Sequence, residues 1–145
     1  MPIQLLVAHL LTGRGMLLRK VTLKPYIIDL WIIITDNPKV DIPKLNKKYK
    51  GLDLTWDEET AAWTNDHIYD GYILGVLFDV EYFEPDTVAH EAVHILNRTY
   101  EHAGAFLDMA NDEPQAYMTG FIVGEIHKAH QEFIKKQKNK YNAKK

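Results

Sequence analysis

The hydrophobic pattern divides the chain into a first half with strand character and a second half with helical character. In MLLRKVTL, Met16 to Leu23, apolar and polar residues partly alternate ahead of Pro25, the pattern of a half-buried strand. YIIDLWIII, Tyr26 to Ile34, is rich in β-branched and aromatic side chains and stops at the turn-forming Asp36-Asn37-Pro38. These two segments are expected to pair in one sheet. Residues 36–55 hold two prolines, several lysines and Gly51, and read as a surface excursion. Thr55-Trp56-Asp57-Glu58 has the form of a capping box and predicts a short helix toward Ala62. Ala61 to Thr64 equally begins a strand, with Asp66 to Gly71 as the loop of a hairpin. GYILGVLFDV, Gly71 to Val80, is the clearest strand: apolar, short, and bounded by glycine and acids.

From Thr87 to about Tyr100 the period changes to that of a helix, with Val88, Ala92, Ile95 and Leu96 on one side and Asp86 after Pro85 as its N-cap. Gly104 and FLDMAND lead to a second helix through QAYMTGFIVGEIHKAHQEFI, capped by Asn111 and with Pro114 in its first turn, where a missing N–H is tolerated. Strands first and helices after predict an α+β fold whose N-terminal sheet is mainly antiparallel.

A chain of 145 residues suits one domain, here residues 1–127, followed by a lysine-rich helix end and tail over 128–145. The charge is uneven: residues 128–145 carry +6 and residues 1–127 carry -9. An acidic body excludes a general nucleic-acid surface, and the lysines read as a solvated, fraying helix end. The longest apolar runs, PYIIDLWIIIT and IQLLVAHLL, are too short to span a bilayer, and the second lacks the marks of a signal peptide. The expectation is a cytoplasmic protein that binds no membrane. MPIQLLVAHLLTGRG fits a first strand, a short helix or an arm, and His9 within it reads as incidental. Cysteine is absent, so any metal must be held by nitrogen and oxygen.

The chemistry concentrates in His90-Glu91-Ala92-Val93-His94, an H-E-x-x-H sequence inside the first strong helix. Histidines at i and i+4 lie one above the other on a helical face, so both imidazoles reach one ion. Glu91 sits about 100° round from His90, near a water on that ion without ligating it. Zinc accepts imidazole and carboxylate in a tetrahedral shell and keeps a position open. The bland alternative is a surface helix with two solvated histidines.

A catalytic zinc needs a third ligand. A histidine six residues after His94 is ruled out, because that position is Tyr100. The carboxylates Glu101, Asp108, Asp112, Glu113 and Glu125 remain. Glu113 is preferred and Asp112 is second: Glu113 opens the second helix, and its side of that helix carries Tyr117, Gly120 and Gly124, which would allow close approach of the first helix. His127 is about 21 Å further along the axis, too far to share the ion. It and His130 read as surface histidines.

With HEAVHIL and NDEPQAYMTGFI the chain resembles zincin metallopeptidases of the gluzincin type, and more closely the small zincin-like proteins of phage and prophage genomes. The likeness is sharp over about residues 71–125. It implies a zinc-dependent peptidase with His90, His94 and Glu113 as ligands and Glu91 as general base. It also implies that Gly71–Val80 is the sheet-edge strand on which a peptide substrate pairs. Where several gluzincins carry a second acid, this chain has Tyr117. Tyr117 and His102 are candidates for the group that polarises the scissile carbonyl, each with a structural reading beside it. The rival function is a catalytically silent, zinc-stapled binding or structural module, such as a phage accessory or virion-associated protein.

Overall fold

The computed structural model describes residues 15–65 and 72–145. The N-terminal segment with His9 and the expected hairpin loop Asp66–Gly71 lie outside the described residues, apart from Gly15. Strand β1 (Met16–Leu23) and strand β2 (Ile28–Thr35) are followed by helix α1 (Pro38–Lys48). Strands β3 (Ala62–Asn65) and β4 (Ile73–Asp79) come next, then helices α2 (Pro85–Ala103) and α3 (Glu113–Ala143).

The four strands form one sheet in the order β1-β2-β4-β3. β1 pairs antiparallel with β2, and β3 antiparallel with β4, but the central pair β2/β4 is parallel, with Leu30 beside Leu74 and Ile34 beside Phe78. The fold is α+β with a mixed sheet: two of its three pairings are antiparallel, as expected, and the central one is parallel. The reason lies in α1, which carries the chain across a face of the sheet between β2 and the β3–β4 pair. β4 is therefore an interior strand. Among the described residues the edge beside it is β3, which corrects the assignment of 71–80 as the edge.

Both faces of the sheet are covered, so β2 is buried at every position except Asp29. On one face Leu30, Ile32, Ile34, Leu74, Val76 and Phe78 pack against Ala92, Ile95 and Leu96 of α2 and Met118, Ile122 and Ile126 of α3. On the other, Trp31, Ile33, Ile73 and Leu77 pack against Ile42 and Leu45 of α1 and against Leu52 and Leu54. Residues 36–55 are thus a structural layer and not a surface excursion. The capping-box helix at Thr55 does not form; Ala62–Asn65 is strand, the other of the two readings.

Helix α3 runs unbroken to Ala143, and Ala129, Phe133 and Gln137 along its lysine-rich part are buried. Gln137 fills the space a β-carbon on Gly15 would need, so the helix is docked on the start of β1 as far as Gln137, and residues 138–145 beyond it are exposed. No helix among the described residues is long and apolar enough to cross a membrane.

Candidate metal-binding and catalytic site

Helix α2 begins after an extended Glu84, with Pro85 in its first turn, and ends at Gly104, whose φ of +67° is the left-handed conformation that suits glycine. Between those ends its apolar stripe, Val88, Ala92, Ile95, Leu96 and Tyr100, faces the sheet and α3. That stripe fixes the azimuth of everything else. His90 and His94 fall on the outer side and are exposed, while Glu91 falls on the flank beside β3 and is only 5% exposed.

The two ring nitrogens converge: His90 Nε2 and His94 Nε2 are 3.0 Å apart. An ion in tetrahedral coordination at about 2.0–2.1 Å from each would set them about 3.3 Å apart. Glu91 turns toward the sheet, and its Oε2 accepts a short hydrogen bond from Thr64 Oγ1 of β3. A cavity of about 250 Å³ opens between the helix and the sheet edge, lined by Thr60, Ala62, Trp63, Thr64, His90, Glu91, His94 and Arg98. The two imidazoles are donors that zinc accepts, and they converge.

Glu113 is not drawn into this group, and among the described residues no three His, Asp or Glu side chains come together closely enough to hold a metal. It opens α3 and is exposed. The buried stripe of α3 is Met118, Ile122, Ile126, Ala129 and Phe133. Counting 100° per residue, Glu113 points about 180° from Ile122. Nothing would touch a β-carbon at Gly120 or Gly124, so the Glu113–Tyr117–Gly120–Gly124 side is an outer face and not the helix–helix contact expected. Its neighbour Pro114 lines a pocket with Tyr26, Tyr100 and Ala105, at the C-terminal end of α2, whereas His94 is six residues, about 9 Å, nearer the middle.

The other candidates also stand apart. Tyr117 is 76% exposed and lines a separate groove with Thr22, Lys24, Pro25 and Tyr26; it is neither packed in the core nor beside the histidines. His102 stacks face to face on Tyr72, ring centroids 3.6 Å apart. His127 is exposed as expected, but His130 is half-buried and stacks on Phe83 at 3.9 Å. Burial, with a smaller contribution from the neighbouring His127, pushes its pKa down to about 4. Asp112 is the N-cap residue of α3, and Glu125 is taken up by ion pairs with Arg19 and Lys128. Asp108 is exposed and lines the pocket beside Tyr100.

Two residues of the cleft escaped the sequence reading. Thr64 left no signal, because its partner is 27 positions away. Arg98 did leave one: it continues the i, i+4 series of His90 and His94 by one more turn. Its Nη1 is 3.0 Å from Glu101 Oε2. No protein-family model, curated protein or solved structure matches this chain.

Proposed function

We propose that the chain is a zinc-dependent peptidase in which His90, His94 and Glu113 hold the ion and Glu91 is the general base. The observation that carries this reading is the convergence of two imidazole nitrogens at 3.0 Å beside the buried Glu91, in one cavity at the sheet edge. Zinc held there would supply a Lewis acid that polarises a carbonyl and brings the pKa of water down toward about 7.

The chain's own residues do the rest. Thr64 engages Oε2 of Glu91, so Oε1 is the oxygen that takes a proton from the attacking water and returns it to the leaving amine. The edge strand β3 offers main-chain pairing to an extended peptide next to the cavity, the role first expected of 71–80. Glu113, the third ligand in this reading, stands exposed at the start of α3 and outside the histidine pair, and it reaches them only if that end of α3 moves. A cytoplasmic place of action belongs to the same reading.

The silent, zinc-stapled module is less well supported. Helices α2 and α3 already share Ile95, Leu96, Met118, Ile122 and Ile126 in one apolar core, so a metal staple between them adds little. The test is a peptide-library digest by the zinc-loaded protein, with products read by mass spectrometry beside Glu91→Gln. Cleavage by the wild type, lost in a variant that retains zinc, is expected. Equal products from both, or none from either, would sink the assignment.

A further inference from the structure

Resting on the peptidase reading, we infer that Arg98 is a carboxylate-binding residue of the cleft and that it selects peptides carrying a carboxylate within two residues of the scissile bond. His90, His94 and Arg98 follow one another at four-residue spacing, and all three line the same cavity. Four residues of helix advance about 6 Å, and an extended peptide covers that distance in about two residues. A carbonyl placed at the histidines therefore puts a carboxylate one or two residues away at the level of the guanidinium.

Charge argues the same way. Among the described residues the charged side chains lining this cavity are Arg98 and Glu91, and Glu91 is buried under Thr64, so Arg98 is the charged group nearer to solvent. At about 250 Å³ the cavity is smaller than pockets that enclose a drug-sized ligand, roughly 300–1,000 Å³, and suits a short stretch of peptide.

Glu101 already shows the interaction. Its carboxylate meets Arg98 at 3.0 Å, from a side chain that is 71% exposed and three residues along the same helix. An exposed i,i+3 pair of this kind is worth little, so Glu101 by itself does not hold the guanidinium against a competing carboxylate. A planar guanidinium pairs such groups with defined geometry, which lysine does not match.

The source of the carboxylate is either the α-carboxylate of a peptide C-terminus or an Asp or Glu side chain, and the experiment separates them. Three probes are used: acetyl-Gly-Gly as the free acid, its amide, and acetyl-Gly-Glu amide. Each is titrated into the full chain while the Arg98 Nε–Hε signal is followed by NMR, identified by its loss in Arg98→Gln. In parallel, zinc-loaded wild type, Arg98→Gln and Arg98→Lys digest libraries with free and with amidated C-termini.

An acid probe is expected to shift the Arg98 signal where the amide does not. The wild type should prefer acid-bearing over neutral substrates by about ten- to a hundredfold in kcat/KM, as for one hydrogen-bonded charge. That preference should fall close to one in Arg98→Gln and recover only partly in Arg98→Lys. A response to the free acid alone assigns recognition of a C-terminus, and a response to acetyl-Gly-Glu amide assigns an acidic side chain. Equal handling of acid and amide, with no acid-specific shift at Arg98, overturns the inference. Absence of cleavage of every peptide counts against the peptidase reading, and the NMR titration then decides Arg98 by itself.

Discussion

Thr64 Oγ1 donates a hydrogen bond to Glu91 Oε2, joining the edge strand β3 to the helix that carries both histidines. The bond crosses 27 residues of sequence and holds a carboxylate that is nearly sealed from water. Thr64→Val keeps the shape of the side chain and removes the donor, which leaves Glu91 buried with one partner fewer. We expect a loss of about 1–3 kcal/mol in unfolding free energy by urea titration, and near wild-type stability for Thr64→Ser. A Thr64→Val protein as stable as the wild type would mean that Glu91 does not depend on β3 for its position.

Zinc content per chain separates the ligands from the base. Wild type should hold about one zinc, and His94→Ala should hold none after dialysis. Glu91→Gln should keep its zinc, since that side chain faces Thr64 and not the ion. Glu113→Gln is the informative case, because the packing leaves Glu113 exposed and outside the histidine pair. Its assignment requires at least a tenfold weaker zinc affinity in that variant, measured by competition with a chromophoric chelator. Unchanged affinity would remove Glu113 from the site.

What could be read from the sequence follows what is local. Strand β1 is visible as a partial alternation, β2 as a β-branched and aromatic run and β4 as a short apolar run, and α2 and its H-E-x-x-H as one amphipathic period. Helix α1 was not visible, because Pro38 and Pro43 punctuate it and four lysines cover it. Pro38 occupies the first position, where no N–H is missed, and Pro43 is carried by the burial of Ile42 and Leu45 against the sheet. The parallel pairing of β2 with β4 was equally hidden. A strand buried on both faces has no alternation to give away its neighbour. For α3 the glycines misled: Gly120 and Gly124 suggested a close helix contact, but the broad stripe from Met118 to Phe133 had more area to bury and set the orientation.

Arg19 and Glu125 hold α3 to β1. Arg19 Nε and Nη2 donate to Glu125 Oε2 at 3.0 and 2.9 Å, and Lys128 Nζ to Oε1 at 2.7 Å. Burial pushes the Glu125 carboxyl up, but the hydrogen bonds from Lys128 and Arg19, and their charge, outweigh it and hold its pKa below the usual 4.5. The stability this contributes is present above about pH 4.5 and is lost as pH falls through the lower folded value. Arg19→Met strips one partner from a buried charge and should cost about 2–4 kcal/mol near pH 7. Arg19→Met with wild-type stability at that pH would show the pair to be neutral to the fold.

His130 gives the fold an acid-sensitive point of opposite chemistry. Its imidazole lies flat on Phe83, which offers a stacking face and no acceptor, and burial there, with a smaller contribution from His127, disfavours its protonated form. Its pKa of about 4 in the fold lies well below 6.5, so between these values the unfolded chain binds more protons than the folded one. Stability therefore rises with pH across that window, is fully recovered above about pH 6.5, and falls on acidification toward pH 4. Because the ring is partly solvent-exposed, the swing is on the order of 1–2 kcal/mol, less than the full shift would give. Asp36 and Asp79, whose carboxyls burial pushes up, slope the other way above pH 3.8, so the wild-type curve alone mixes the two signs. The clean measurement is the difference between wild type and His130→Phe in urea titrations from pH 4 to pH 8. The phenylalanine variant should gain on the wild type as pH falls through 6.5, and a pH-independent difference would show that His130 titrates as a solvated histidine.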